Sequence, residues 1–226
     1  MIKIEETLVA GVEAALRGMR NPMNSWNKSD TETVQNSYYV GDEKTHTTTT
    51  VNVGEKDLAL MEKLVKAGSD HRKFMRFITV SCDILAPLYW WKEYDTYKVG
   101  TVANSCSTMH TITSKEFTPD DFSHEHLSSF CCAGSSYEFD AMDWLYGTIR
   151  RLNLLRDCYL QTKDKSYWWQ IIQLLPSSYN QKRTVMLNYE VLLNMYHARK
   201  NHKLDEWRDF CKWVEGLPYM GAFLNV

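Results

Sequence analysis

The stretch 175–207, LPSSYNQKRTVMLNYEVLLNMYHARKNHKLDEW, carries amide and guanidinium groups within a largely apolar pattern. On one continuous helix with about 100° per residue, a single face would carry Thr184, Asn188, Leu192, Met195 and Arg199. A buried amide or guanidinium is costly unless it is paired, so a partner or ligand is expected here. Asn188 and Arg199 would be about 16 Å apart at about 1.5 Å per residue, a span that suits a planar ligand. The open alternative is that both side chains cap neighbouring loops.

Composition and charge describe a globular chain with no strongly charged partner. The 226 residues are 44% hydrophobic and 24% charged, with a formal net charge of −2, which is typical of a packed domain. The basic cluster HARKNHK at 197–203 is short, so no nucleic-acid binding is predicted. The N-terminal segment lacks the apolar core of a signal peptide, and no apolar run approaches about 18 residues. We therefore expect a cytoplasmic protein without a membrane segment.

Cysteine and histidine spacing predicts no metal site. The six cysteines, at positions 82, 106, 131, 132, 158 and 211, have no paired Cys-x-x-Cys spacing and are interpreted as reduced thiols. The vicinal Cys131-Cys132 and the nearby His124-x-His126 do not have the ligand spacing of a structural zinc site. Neither a metal nor a redox role is predicted for them.

Hydrophobic periodicity predicts one α+β domain covering 1–226, with a mixed β-sheet and a helical second half packed on it. The segments are a strand then a helix in 1–19, a polar β-hairpin at 31–53, a helix at 58–67 ended by Gly68, a strand in 74–87, a helix beginning in 88–97, an irregular stretch at 98–123, and helices from 137 almost to the end.

Four aromatic side chains follow the predicted strand at helical spacing: Trp90, Trp91, Tyr94 and Tyr97. They suit either a planar ligand or packing at an interface, because aromatic residues dominate both. Packing is favoured for Trp90 and Trp91, and both interpretations stay open for Tyr94 and Tyr97.

The order of these motifs resembles flavin-dependent thymidylate synthases. That family's C-terminal signature is a Leu-Pro, a helix with Asn residues, Leu-Arg and a Gln-Trp-Glu-like element, and the matching positions are Leu175-Pro176, Asn188, Asn194, Arg199 and Glu206-Trp207. The segment 63–110 looks like the family's helix–Gly–Phe–strand–Ala-Pro block and the motif that follows it. From the start of the first segment to the end of the second, 63–207, the resemblance spans roughly two-thirds of the chain.

The resemblance implies that FAD, NADPH and methylenetetrahydrofolate serve the reductive methylation of dUMP at C5, in a homotetramer with sites shared between subunits. It implies catalytic roles for Arg199, which would polarise the pyrimidine carbonyl edge, and for Ser107, which would lie near the pyrimidine. By the same resemblance, Arg199, Glu93 and Asn104 would bind substrate, and the flavin would be contacted by Lys98, Asn188, Asn194 and Arg76.

The sequence departs from the family at several cationic positions. Thr96-Tyr97-Lys98 stands at the Arg-His-Arg motif, Lys92-Glu93-Tyr94 replaces Arg-Gln-Trp, and Met109 stands where an Arg is expected. The Arg before the Leu-Pro is absent, because Ile172 or Gln173 occupies that place. The absence of one charge-assisted hydrogen bond costs about 1.5–3 kcal/mol of binding free energy, so we expect weak binding of the dUMP phosphate.

Three functional hypotheses follow. The first is a divergent flavin-dependent thymidylate synthase, and the second is a flavin enzyme of the same fold that acts on another nucleotide or pyrimidine. The third is a non-catalytic assembly protein that has lost the flavin. Flavin colour separates the third from the others, and dUMP binding separates the first from the second.

Overall fold

A four-stranded antiparallel sheet organises the larger core of the computed structural model, which describes residues 1–40, 43–128 and 140–225. The strands are β1 Lys3–Ala10, β2 Glu32–Val40, β3 Glu43–Asn52, β4 Thr79–Pro87, β5 Thr101–Ser105 and β6 Asn180–Asn188. The α-helices are α1 Val12–Arg20, α2 Glu55–Lys66, α3 Leu88–Tyr94, α4 Thr108–Thr111, α5 Ala141–Thr162, α6 Lys165–Leu174, α7 Tyr189–Arg199, α8 Asp205–Glu215 and α9 Met220–Leu224. Short 3₁₀ turns lie at Asn21–Met23, Trp26–Lys28, Arg72–Arg76 and Pro119–Asp121.

The sheet has the strand order β1-β4-β6-β5. Each of these neighbours pairs antiparallel, so the α+β class is confirmed, whereas the predicted mixture of parallel and antiparallel pairs is not found here. In β4, alternate residues from Val80 to Ala86 are buried, as the two-residue period of a strand requires. The predicted strand at 74–87 is thus shorter, because Arg72–Arg76 forms a 3₁₀ turn before it.

Helices α3 and α8 pack against each other in this core through aromatic contacts. Trp90 and Trp91 are 0% and 1% exposed, and the ring centroids of Trp90 and Trp207 lie 4.8 Å apart. The packing interpretation of Trp90 and Trp91 is therefore confirmed. Tyr94 is also buried, whereas Tyr97 is partly exposed.

A second, smaller core lies where α5 and α6 pack together. Leu145, Ile149 and Leu152 of α5 and Ile171 of α6 are buried with Phe117 and Phe122. The helical second half is confirmed for α5 and α6, and residues 137–139 lie outside the described residues. No described helix has the length and apolar content that a membrane crossing requires.

The predicted polar hairpin is confirmed as a separate two-stranded ladder of β2 and β3. Its Gly41-Asp42 turn lies outside the described residues. Near its base, the carboxylate of Asp57 on α2 is fully buried and accepts hydrogen bonds from Arg20 at 2.7 Å and Thr31 at 2.6 Å. These bonds join α1, α2 and the connection that leads into the hairpin.

The prediction of one helix through 175–207 is wrong. Residues Asn180–Asn188 form β6, and α7 begins only at Tyr189. Thr184 belongs to the strand and donates a hydrogen bond to Asp83 on β4, so it does not share a helix face with Arg199. Strand β6 pairs with β4 on one side and with β5 on the other, and these tertiary pairings override a helical periodicity. The partner β5 lies in the stretch 98–123 that was predicted to be irregular.

Gly11 joins β1 to α1 in a conformation that only glycine adopts easily. Its φ is +88°, and a Cβ there would lie 2.0 Å from the carbonyl oxygen of Phe77. Because both backbone strain and a backbone clash result, Gly11→Ala is expected to lower the free energy of unfolding by about 2 kcal/mol, measured by urea denaturation. Gly18→Ala on α1 is the control, since its Cβ would meet the Phe77 ring at 3.7 Å. An equal loss in both variants would contradict this account.

Candidate functional site

Arg199, the last residue of α7, is held by residues of three other segments. Its Nη1 donates to Glu93 Oε2 of α3 at 2.6 Å, and its Nε donates to the hydroxyl of Tyr97 at 2.9 Å. The guanidinium carbon also lies 4.8 Å from the ring centroid of Trp207 on α8, a cation–π contact. We call this arrangement the Arg199–Glu93 pair.

Only one carboxylate oxygen of Glu93 makes these contacts. Glu93 Oε2 also accepts from Trp207 Nε1 at 3.0 Å and lies 3.4 Å from His202 Nε2. Within the described residues, neither Glu93 Oε1 nor Arg199 Nη2 has a hydrogen-bond partner, and neither atom is a buried unpaired group. The side chains are 34% and 19% exposed. The pair therefore leaves an acceptor oxygen and a donor nitrogen free for a ligand.

A second charged group, the Glu190 cluster, is formed by Glu190 and Asn194 of α7 with Arg72 and Arg76. Arg72 Nη2 donates to Asn194 Oδ1 at 3.0 Å, and Arg72 Nε lies 3.5 Å from Glu190 Oε1. Arg76 forms an ion pair with Glu190, and hydrogen bonding to that carboxylate raises the pKa of the Arg76 guanidinium. Arg72 Nε is buried without a hydrogen bond in the described residues.

The two groups lie on different sides of α7. Asn194 and Arg199 are five residues apart, which is about 140° around a helix. Their contacts agree, since Asn194 meets Arg72 while Arg199 meets Glu93. Asn194, which was not part of the predicted face, therefore belongs to a different group from Arg199.

Asn188 has the capping role that sequence reasoning left open. Its side-chain oxygen accepts a hydrogen bond from the backbone N–H of Val191 at 3.0 Å at the start of α7. Such an N-cap satisfies one of the unpaired amides of the first helical turn. A flavin contact by Asn188 stays a prediction.

Removing this cap gives a testable effect on stability. Asn188→Ala is expected to lower the free energy of unfolding by about 1 kcal/mol, because the Val191 amide loses its acceptor. Asn188→Asp keeps the acceptor and serves as the matched control. Chemical denaturation of both variants measures the difference, and equal stability of the Ala and Asp variants would show that the cap contributes nothing.

The other predicted site residues lie along the edge of the sheet. Lys98 and Asn104 are exposed, and Asn104 is part of the edge strand β5. Ser107 is the N-cap of α4 and accepts from the His110 amide at 3.2 Å. No hydrogen bond within the described residues joins these three to the Arg199–Glu93 pair. Their predicted ligand roles stay predictions.

Sequence reasoning missed Arg72, Glu190 and His202 as members of the two groups, named Trp207 only as part of the C-terminal signature, and left Tyr97 open. The basic run HRKFMR at 71–76 was the available signal for the Glu190 cluster, since three cations in a short span favour a nearby carboxylate. Nothing local in sequence indicates that Trp207 contacts Glu93.

The histidines near the vicinal cysteines have other partners. His126 Nε2 lies 2.9 Å from Asp205, and His124 Nδ1 lies 2.8 Å from the Phe122 carbonyl oxygen. In residues 1–40, 43–128 and 140–225, no group of three His, Cys, Asp or Glu side chains is placed to hold a metal ion. Cys131-Cys132 lies outside that part of the chain.

Known structures share this fold at low sequence identity. A flavin-dependent thymidylate synthase X from Helicobacter pylori, complexed with FAD and dUMP, has a TM-score of 0.65 and 15% identity, over 98% of this chain and 97% of that chain. A second structure of thymidylate synthase X from the same organism, with FAD and dUMP, gives a TM-score of 0.64, 15% identity, and 99% and 97% coverage. A UMP/dUMP methylase from Streptomyces cacaoi, bound with 5-Br dUMP, has a TM-score of 0.59 and 12% identity, over 100% of this chain and 95% of that chain.

No family model and no curated protein matches the sequence. The structural likeness shows that the chain has the thymidylate synthase X fold over nearly its whole length.

Proposed function

We propose that this chain is a divergent flavin-dependent enzyme that binds FAD and methylates the uracil of dUMP, with methylenetetrahydrofolate and NADPH as co-substrates. The observation that carries the proposal is Arg199, whose guanidinium is fixed on Trp207 and whose Nη2 has no hydrogen-bond partner among the described residues. The thymidylate synthase X fold supports it, since the neighbours of that name are complexed with FAD and dUMP.

The pyrimidine carbonyl is the group that Arg199 suits. Its three neighbours hold the guanidinium in one place, so little conformational freedom is lost when a ligand oxygen accepts from Nη2. A fixed cationic donor beside a carbonyl also stabilises negative charge that develops on that oxygen during reaction at the ring. Arg199 is thus proposed to be the catalytic residue that polarises the pyrimidine.

The Glu190 cluster fits the diphosphate of FAD by the chemistry of its donors. Two guanidinium groups and one carboxylate leave a net positive charge at this place, and guanidinium groups match phosphate oxygens geometrically. Arg72 Nε is buried and lies 3.5 Å from Glu190 Oε1, so the guanidinium that a phosphate can reach directly is that of Arg76, whose side chain is 52% exposed. Arg72, Arg76 and Asn194 would hold the cofactor, which when bound supplies the redox chemistry.

A flavin enzyme of this fold with another pyrimidine substrate is the second candidate, and Glu93 favours it. Its carboxylate pairs with Arg199 at 2.6 Å, so the pair has no net positive charge to attract an anionic nucleotide, although the guanidinium remains a hydrogen-bond donor. The smaller number of cationic residues at 96–98 and the Met at 109 also weaken the expected binding of an anionic nucleotide.

Association into a homo-oligomer, a tetramer as in the resembled family, is also part of the proposal. Large apolar side chains on α5 and α6 are exposed, with Leu154 at 64%, Trp169 at 52% and Leu174 at 57%. Exposed apolar surface of this kind marks association sites. Light scattering on the purified chain tests the assembly, and a monomer at all concentrations would overturn it.

The deciding experiment measures FAD binding, and then the binding and conversion of dUMP, on the same purified protein. We expect visible flavin absorbance, or its recovery on adding FAD, and conversion of dUMP to dTMP with both co-substrates present. Arg72→Gln should weaken FAD binding about tenfold or more, whereas the exposed Arg17→Gln on α1 should not. A protein that takes up no FAD would overturn the proposal, and FAD binding without dUMP binding at millimolar concentration would leave the second candidate.

A further inference from the structure

We propose that Glu93 is a specificity-determining residue that, together with Arg199, selects a heterocycle with a ring N–H next to a carbonyl group. This inference rests on the proposed function, because it concerns the same pyrimidine site. It adds a requirement for a ligand hydrogen-bond donor, which an arginine alone would not impose.

The acceptor side of the pair follows from how Glu93 is held. Oε2 accepts from Arg199 at 2.6 Å and from Trp207 at 3.0 Å, so the carboxylate cannot rotate without leaving two donors unpaired. Oε1 is then the oxygen that faces outward, and it has no hydrogen-bond partner among the described residues. An ionised carboxylate accepts and never donates. A ligand group placed against Oε1 must therefore carry a hydrogen.

The donor side follows from Arg199 in the same way. Nε–H is used by Tyr97 and one Nη1 hydrogen by Glu93, which leaves the second Nη1 hydrogen and both hydrogens of Nη2. A guanidinium has no acceptor, so the ligand atom beside it must be an oxygen or an unprotonated nitrogen. The carboxylate and the guanidinium are joined by the 2.6 Å bond between Oε2 and Nη1, so we infer that the unused acceptor of one and the unused donors of the other can meet adjacent N–H and C=O groups of a single ring.

Uracil meets this requirement through N3–H and its neighbouring carbonyl oxygens. A methyl group on N3 removes the hydrogen and sets an apolar group against the carboxylate. An unpaired polar group of this kind costs about 1–3 kcal/mol, which is roughly a 5- to 150-fold change in affinity. A substituent at C5 leaves the recognised edge unchanged, which is compatible with chemistry at that carbon.

The test compares dUMP with N3-methyl-dUMP by isothermal titration of the full chain saturated with FAD. Wild type should bind the methylated compound at least about tenfold more weakly. In Glu93→Gln the amide oxygen must face Arg199 and Trp207, which turns the NH₂ group outward. The preference for dUMP should then fall below about threefold. Glu215→Gln on α8, whose carboxylate accepts from Tyr196, is the control that should keep the full preference.

The outcomes separate this inference from the function on which it rests. Equal affinity of wild type for the two compounds would overturn the role of Glu93, and so would an unchanged preference in Glu93→Gln. The first comparison needs no variant, so it stands even if Glu93→Gln fails to fold. Binding of neither compound to the FAD-loaded chain would overturn the dUMP site itself, and this inference with it.

Discussion

Asp57→Ala is expected to lower the free energy of unfolding by about 3–5 kcal/mol, because it leaves a buried guanidinium without its counter-ion. The Asp57 carboxylate is fully buried and Arg20 is 5% exposed. Asp57 accepts from Arg20 at 2.7 Å, from Thr31 at 2.6 Å and from Ser29. Removal of the carboxylate therefore unpairs three donors, one on α1 and two in the connection before β2, that it holds to α2. Urea denaturation monitored by tryptophan fluorescence measures the loss.

An exposed ion pair of the same type provides the control for this prediction. Asp209 pairs with Lys212 at 3.1 Å, with side chains 51% and 74% exposed, and Asp209→Ala is expected to cost no more than about 0.5 kcal/mol. If the two alanine variants differ by less than about 1 kcal/mol, the Arg20–Asp57 pair does not hold this part of the fold together.

The same carboxylate predicts a dependence of stability on pH. Burial raises the pKa of Asp57, but the hydrogen bonds from Ser29, Thr31 and Arg20 outweigh burial and lower it below its usual value. The stabilisation is thus complete above the unfolded pKa of about 3.9 and is lost as the pH falls through the lower folded pKa. Wild type should lose stability below about pH 4 more steeply than Asp57→Asn, and parallel pH profiles of the two would contradict this.

Sequence periodicity predicts the elements whose burial pattern is local. Strand β4 alternates buried and half-exposed residues, and α2 ends next to Gly68 at φ +99°. These features depend on neighbours a few positions apart. They are readable without knowledge of the tertiary contacts, and both were predicted.

The prediction of one helix over 175–207 fails because the first half of this stretch is stabilised by pairing with other strands. Strand β6 is held by pairing with β4 and β5, and β5 itself is a short segment that is mostly exposed. Neither strand shows a strong pattern of its own. Asn188 then stands at the junction, as the last residue of β6 and the N-cap of α7. Because a strand precedes this junction and a helix follows it, a helical period applied to both wrongly assigns Thr184 and Arg199 to one helix face.

In the candidate site, too, the sequence indicates individual residues but does not indicate which of them are in contact. Arg199 and Glu93 were both named from sequence, but from their places in separate motifs. Their contact joins positions 106 residues apart, and the contact of Trp207 with Glu93 joins positions 114 apart. Such pairings depend on how α3, α7 and α8 pack. Because Glu93 contacts Arg199, a residue that departs from the family motif becomes a candidate for recognition of the pyrimidine ring.

Arg199→Lys is expected to reduce kcat/KM for dUMP methylation about 100-fold, which corresponds to about 2.7 kcal/mol. Lysine keeps the positive charge but has no planar fork. One ammonium group cannot reproduce the bonds of Nε to Tyr97 and Nη1 to Glu93 while it also donates to a ligand carbonyl. The loss should appear mainly in kcat, because polarisation of the carbonyl counts most when charge develops on the ring. Steady-state kinetics with saturating FAD measures both parameters.

The neighbouring Lys200→Gln is the control for this variant, since Lys200 is exposed and contacts the Tyr196 ring rather than the Arg199–Glu93 pair. It should change kcat/KM by less than about twofold. Equal FAD content in Arg199→Lys and wild type is also expected, because the Glu190 cluster lies on another side of α7. If Arg199→Lys keeps full activity, the guanidinium does not act on the pyrimidine. If it loses FAD instead, Arg199 belongs to the flavin site, and the division of α7 into two ligand-facing sides is wrong.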